Sequence, residues 1–155
     1  GIFCFDTSSV GAGATGVTGI ISFFGTTKNI GNGSPDFHVS GSTPASTSSL
    51  ANADYGQLQT TSFGNVANAS YSTTAYNDVD MNASGDSNIS LTGISKFGTQ
   101  TSWDINNSFG GTWVQNAPAT FTVNTADAAG TTTDPKLVVT YTPAPTGGGI
   151  PFIGY

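Results

Sequence analysis

The sequence predicts an all-β fold, an antiparallel β-sandwich of jelly-roll-like type. Only 8% of the 155 residues are charged, against about 25% in ordinary soluble domains. Glu and Arg are absent, and Thr, Ser, Gly and Asn, which favour strands and turns, are abundant instead. Apolar residues recur in groups of strand length, and no window keeps a helical period. This length fits one domain.

In the first third of the chain, turn residues separate the predicted strands. Residues 2–5 form a short apolar run, and residues 11–14 predict a turn. The strongly apolar stretch 17–24 predicts the next strand. After the Gly/Pro-rich residues 31–35, residues 36–40 alternate apolar and polar side chains, as a half-buried strand does.

The later strands are predicted by alternation of period two. Residues 41–54, rich in Ser, Thr and Ala, predict a long surface loop with one helical turn at most. Beyond it, alternation over 76–82, 89–91, 121–123 and 137–141 gives one apolar and one polar face. This pattern is typical of antiparallel sheets with one solvated face. Eight or nine such strands predict a sandwich.

The composition changes after residue 142, so the sandwich domain is expected to span residues 1–142. Residues 143–149 form a Pro/Gly linker, and residues 150–155 an apolar C-terminal tip. Such a tip could fold back on its own domain, stay disordered or dock on a neighbouring molecule. We expect docking, because exposed apolar surface often marks an interaction site.

Charge and hydrophobicity exclude several partners. The net charge is −6, and the three lysines are scattered, which argues against nucleic acid and anionic membrane surfaces. No segment approaches the roughly 20 apolar residues of a membrane span, so membrane insertion is not expected. Cys4 is the only cysteine, and a buried, inert thiol is expected, with an intermolecular disulfide as the alternative. Without an initiator Met or a signal peptide, the chain is expected to be trimmed from a longer precursor.

No catalytic site is predicted, and the chain is expected not to be an enzyme. His38 is the only histidine, and no nucleophile motif lies near it. Asp78 and Asp80 share one face of a predicted strand, where a solvated face explains them without chemistry. They are weak candidates for a structural calcium site, although the segment lacks the Gly and Glu of an EF-hand loop. No other cofactor is expected.

Aromatic residues and glycosylation motifs give two weaker signals. Trp103 and Trp113 could stack on sugars, although aromatic side chains in a sandwich more often pack in its core. Trp113 follows Gly110 and Gly111 in a predicted loop and is the better exposed candidate. Five Asn-X-Ser motifs begin at Asn32, Asn68, Asn82, Asn88 and Asn106.

Five stretches of the sequence match a known pattern of β-sandwich repeats. They are residues 5–9, 13–24, 76–82 and 93–98 and, most specifically, the run Asp134-Pro135-Lys136-Leu137-Val138-Val139-Thr140-Tyr141. Over about residues 1–142, the chain thereby resembles the disaggregatase-related, DNRLRE-type group of secreted prokaryotic and phage surface proteins. The resemblance implies a jelly-roll-like sandwich similar to carbohydrate-binding modules, on a cell or virion surface, without shared catalytic residues.

The resemblance also implies that a strand is missing. Members of the group usually carry strand-forming sequence ahead of the Phe-Asp-Thr-Ser segment, whereas four residues precede Phe5 here. We therefore expect an open edge that a neighbouring subunit's strand completes. Proline cannot donate to a ladder, so Pro151 weakens the tip as that strand, and the Phe3 region could be the donated strand instead. The expected subunit contacts are Ile2, Phe3, Phe5, Ile150, Phe152, Ile153 and Tyr155.

The sequence thus favours a structural subunit of an extracellular or virion-surface assembly, such as a fibre, a pilus-like filament or a tail appendage. Its expected partners are copies of itself. The alternative is a carbohydrate-binding or adhesive module of a larger secreted protein. An exposed aromatic row on one sheet face would favour the alternative, and strand pairing between subunits the former.

Overall fold

The computed structural model describes residues 1–145, which form two antiparallel sheets packed face to face and confirm the all-β sandwich. The described residues contain eight strands: β1 (Ile2–Asp6), β2 (Thr15–Ile30), β3 (Phe37–Ser42), β4 (Leu58–Val66), β5 (Tyr76–Asp80), β6 (Ile94–Thr101), β7 (Ala119–Val123) and β8 (Lys136–Thr142). The helices are short: α1 (Ala83–Ser87), α2 (Ser102–Ile105) and three 3-10 turns at Ser8–Val10, Asn52–Gln57 and Asn68–Ser70.

The two sheets are built around different central strands. The first sheet has the order β1-β6-β3-β4, with β1 and β4 at its edges. In the second sheet, the 16-residue β2 pairs with β5, β7 and β8. β8 pairs with the first half of β2, and β7 pairs with the second half. The register between β2 and β7 shifts once, between Gly25 and Thr27 of β2. Both sheets turn one face toward the core.

The core consists of aromatic and β-branched side chains from both inner faces. Ile21 and Phe23 of β2 are fully buried and belong to the same cluster as Val39 and Phe37 of β3. The rings of Phe23 and Phe37 meet edge to face, with centroids 5.6 Å apart. Phe97 of β6 is also fully buried. Aromatic pairs in this geometry contribute about 0.5–1.5 kcal/mol beyond the area that they bury.

One buried polar side chain fastens β5 to the core. Asn77 is 4% exposed, and its Oδ1 accepts a hydrogen bond from the Ser72 backbone N–H at 2.8 Å. Its Nδ2 donates to the backbone carbonyls of Ser72 at 2.9 Å and Phe23 at 3.3 Å. Because a buried amide without partners is costly, this network fixes the turn before β5.

Two sequence-based predictions of local structure are wrong. The predicted loop 41–54 begins too early, because β3 continues to Ser42, whereas the 3-10 turn that begins at Asn52 agrees with the one helical turn expected there. Ile89 and Leu91 do not lie in a strand, since α1 and the turn that follows it occupy this part of the chain. Asn82 caps α1 by accepting from two backbone N–H groups, and Ile89 packs into the core beside Gly19.

Candidate interaction groove along the free edge of β1

The backbone of β1 has one paired side and one free side. Gly1 and Thr99 exchange hydrogen bonds, and the Thr7 N–H donates to the Gly93 carbonyl at 3.0 Å. Pairing partners along β1 and β6 keep the same register throughout, so the odd-numbered residues of β1 bond to β6. The N–H and C=O groups of Ile2, Cys4 and Asp6 therefore point away from the sheet. No described residue hydrogen-bonds to these groups.

A groove of about 470 Å³ runs along this free edge. It is lined by residues 2–5 of β1, by the segment 47–50, and by the residues that follow β7 and those that precede β8. The lining residues are Ile2, Phe3, Cys4, Phe5, Thr47, Ser48, Leu50, Thr125, Ala126, Asp127, Asp134 and Pro135. We name this feature the β1 groove.

The sandwich is closed on one side and more open on the side of the β1 groove. On the closed side, the Asn82 N–H donates to the Phe63 carbonyl at 2.8 Å, linking the residues after β5 to β4, and Phe63 and Val79 are buried. The apolar side chains that pack on the core but stay half-buried come from β1, the start of β2, β7 and β8. They are Phe3, Phe5, Val17, Phe121, Val123, Leu137 and Val139. Core packing is therefore less complete where β1 and β8 form the rim.

Two polar groups shape the electrostatics of the β1 groove. Partial burial raises the pKa of the Cys4 thiol, and the nearby Lys96 ammonium opposes that shift. Oδ1 of Asp134 is buried and accepts no hydrogen bond from the described residues. A buried acceptor without a donor costs about 1–3 kcal/mol. An incoming segment with N–H or O–H groups could supply that donor.

The structure brings together three of the seven residues predicted as subunit contacts. Ile2, Phe3 and Phe5 line the β1 groove, whereas Ile150, Phe152, Ile153 and Tyr155, together with linker residues 146–149, lie outside the described residues. The Phe3 segment is paired with β6 of its own chain and forms one edge of the first sheet. Sequence reasoning missed Leu50, although it is an isolated apolar residue in a Ser/Thr-rich stretch.

The two tryptophans occupy different environments. Trp113 is 76% exposed in the loop before β7, which Asn32 holds through its Oδ1 and the Val114 N–H at 2.8 Å. Trp103 is half-buried and packs edge to face on Phe109, with centroids 4.7 Å apart. The most exposed aromatic residues among those described are Tyr55, Phe109 and Trp113, and none of them lies in a strand. They form no aromatic row on a sheet face.

Asp78 and Asp80 lie on the solvated face of β5, as the alternation predicts. Within residues 1–145, no group of three or more potential metal-ligating side chains comes together. Four of the five Asn residues in Asn-X-Ser motifs donate their side-chain amides to backbone carbonyls: Asn32, Asn68, Asn82 and Asn88. Asn106 is exposed and follows α2, so it is the motif residue best placed for modification.

His38 forms a cross-strand hydrogen bond, with Nδ1 2.8 Å from the Ser62 hydroxyl on β4. Partial burial lowers the pKa of His38, and the Asp36 carboxylate opposes the shift. The Asp36 carboxylate itself accepts the Asn68 N–H at 2.8 Å. In a nucleophile–base–acid relay, one ring nitrogen of the histidine bonds to the hydroxyl and the other bonds to the carboxylate. Here the Asp36 carboxylate accepts from Asn68, and the hydrogen bond between the His38 imidazole and Ser62 links strand β3 to strand β4.

No family model, curated protein or solved structure matches this chain. The resemblance to the disaggregatase-related group therefore stays a prediction. Among the described helices, none is long and apolar enough to cross a membrane.

Proposed function

We propose that this protein is a non-catalytic structural subunit of an extracellular or virion-surface assembly, whose copies join by strand addition at β1. The observation that carries the proposal is the outward-pointing backbone of Ile2, Cys4 and Asp6 on β1, the strand whose residues 2–5 line the β1 groove. Strand addition uses backbone hydrogen bonds for affinity and pockets for alternate side chains for specificity.

The β1 edge lacks most of the features by which proteins protect an edge strand from pairing. Natural edges carry lysines, prolines or bulges that discourage a second chain. β1 contains none of these, and its register with β6 is unbroken. Asp6, its last residue, is its only charged residue. An apolar edge of this kind supports pairing with another chain as part of the protein's function.

The low charge of the sequence also supports an assembled state. The described residues of the groove include Asp127 and Asp134 but no lysine, and residues 150–155 of the sequence carry no charged side chain. The side chains of the tip therefore bring no negative charge toward these two carboxylates. The extracellular or virion-surface location is expected from the resemblance and from the composition, and it is part of this proposal.

Two substitutions of equal surface exposure test the proposal. Leu50 is 55% exposed in the β1 groove, and Val138 is 57% exposed on β8 outside it. Leu50→Lys and Val138→Lys should each change the free energy of unfolding little, because both side chains are largely solvated already. Light scattering and negative-stain electron microscopy of the full chain then report assembly.

We expect the wild type and Val138→Lys to form ordered polymers and Leu50→Lys to remain monomeric or assemble only at higher concentration. A wild-type chain that stays monomeric at all concentrations would overturn the proposal. Equal assembly of the two variants would show that copies join elsewhere.

A carbohydrate-binding module is the second candidate, and Trp113 is the observation that favours it. Its indole is 76% exposed beside Gln115 and Asn116, whose amides could hydrogen-bond to sugar hydroxyls. A glycan array should show binding that Trp113→Ala abolishes and Tyr55→Ala, which changes another exposed aromatic residue, leaves intact. The absence of any bound glycan on the array would remove this candidate.

A further inference from the structure

We infer that the occupant of the β1 groove is the apolar segment 150–155 of a neighbouring copy, paired antiparallel to β1 with Phe152 opposite Cys4. This inference rests on the proposed function and adds the segment and its register. The sequence of the segment is Ile-Pro-Phe-Ile-Gly-Tyr.

The length and chemistry of the segment fit the groove. β1 has five residues, and the segment has six, so an antiparallel pair can cover the whole edge. The seven residues 143–149 that precede it can span at most roughly 25 Å. That reach is enough to pass from the end of β8 to a molecule in contact with it. All strand pairs in the described residues are antiparallel, and antiparallel pairing is slightly the more stable kind.

Pro151 selects the register. In an added strand, alternate residues direct their backbone groups toward β1, and a proline can occupy only the positions that face away. Ile150, Phe152 and Gly154 must therefore face β1, and Pro151 costs no hydrogen bond. The register that uses all three outward-pointing residues of β1 places Ile150 opposite Asp6, Phe152 opposite Cys4 and Gly154 opposite Ile2.

This register also assigns the side chains to the two faces. Directly opposite residues of an antiparallel pair lie on the same face of the sheet. Phe152 then lies beside Cys4 on the outer face, because Phe3 and Phe5 pack inward on Phe23 and Phe97. Ile153 lies opposite Phe3 on the inner face, where Phe3 packs on Phe23 with centroids 4.7 Å apart. The half-buried rim of the core thus gains an aliphatic side chain.

The single native cysteine gives a direct test in the full chain. Cα atoms of a hydrogen-bonded antiparallel pair lie about 5.5 Å apart, within the range for a disulfide. Phe152→Cys should therefore cross-link to Cys4 of the next copy under copper phenanthroline. The oxidation is run at alkaline pH, because burial raises the pKa of the Cys4 thiol. Non-reducing gel electrophoresis should show a ladder of dimers, trimers and longer species.

Two variants control for geometry and specificity. Ile153→Cys places its thiol on the opposite face and should cross-link far less than Phe152→Cys. The double variant Cys4→Ser/Phe152→Cys should give no ladder beyond the tip-to-tip dimer that two thiols introduced at position 152 can form. Negative-stain microscopy before oxidation reports whether each variant assembles.

The outcomes separate this inference from the proposed function. A ladder with Phe152→Cys that the double variant loses supports both. Normal assembly without cross-linking at position 152 overturns the inference and leaves the proposed function in place. A faster-migrating, internally cross-linked monomer would show that the segment binds its own groove, which overturns the exchange between copies.

Discussion

The alternation of bonded and free residues along β1 predicts that proline costs little stability at Cys4 and much more at the neighbouring Phe5. The N–H of Cys4 points away from β6, so Cys4→Pro removes no hydrogen bond of the isolated domain. Edge strands tolerate proline at such positions, and adjusting φ toward −65° should cost about 1 kcal/mol of unfolding free energy. Phe5→Pro instead removes the hydrogen bond to Ser95 and a ring that packs on Phe97, so it should destabilise far more.

The effect of Cys4→Pro on assembly is the larger one. It removes one donor of the added strand's ladder, worth about 0.5–1.5 kcal/mol, and leaves a carbonyl of the incoming strand unpaired at about 1–3 kcal/mol. A combined loss of about 1.5–4.5 kcal/mol weakens association roughly 10- to 2,000-fold. The reference is Cys4→Ala, which loses the same thiol but keeps the backbone N–H.

Urea unfolding measures the stability of the variants, and light scattering over a concentration series measures the midpoint of assembly. Cys4→Pro should unfold near the urea concentration of Cys4→Ala and assemble only at much higher protein concentration. The same assembly midpoint for both variants would refute strand addition at β1. A Cys4→Pro variant as unstable as Phe5→Pro would refute the register itself.

Three further predictions concern stability. Phe97→Ala, in the closed part of the core, should cost about 3–5 kcal/mol in chemical unfolding, whereas Phe3→Ala at the half-buried rim should cost about 1–2 kcal/mol; equal costs would contradict the difference in packing between the two sides. Asn77→Ala should cost about 2–4 kcal/mol, because it strips hydrogen bonds from buried backbone groups, and a neutral substitution would show that water replaces them. Since burial lowers the pKa of His38 in the folded protein, the unfolded chain takes up a proton first as the pH falls below about 6.5. The unfolding free energy should therefore fall from pH 7 toward pH 5, and more steeply than in His38→Asn; identical slopes would contradict that pKa.

The fold class was predictable because its signal is distributed over the whole chain. Apolar and polar residues alternate along β3, β5, β7 and β8, and each strand shows this pattern in its own sequence. The extension of β3 to Ser42 was not predictable, because Ser42 is a buried polar residue in a stretch whose composition is typical of a loop. The strand predicted around Ile89 was wrong because the alternation there covers only three residues. So short a pattern does not distinguish a strand from a turn that packs an apolar side chain beside Gly19.

The candidate site was predictable only in part. Phe3 and Phe5 stood out as apolar residues near an expected open edge, and both line the β1 groove. Which backbone groups are free depends on the pairing of Gly1 with Thr99, a contact between residues 98 positions apart. No local pattern encodes that register. The same holds for Leu50, whose position beside β1 depends on the path of the whole 43–57 connection.

Residue-resolved amide hydrogen exchange is the most direct test of strand addition at β1. In the monomer, the amides of Phe3 and Phe5 should be protected by β6, and those of Ile2, Cys4 and Asp6 should exchange rapidly. In the assembled protein, the even-numbered amides that receive a partner should become protected, Cys4 first among them, while Phe3 and Phe5 change little. Rapid exchange at Cys4 in both states would contradict the account.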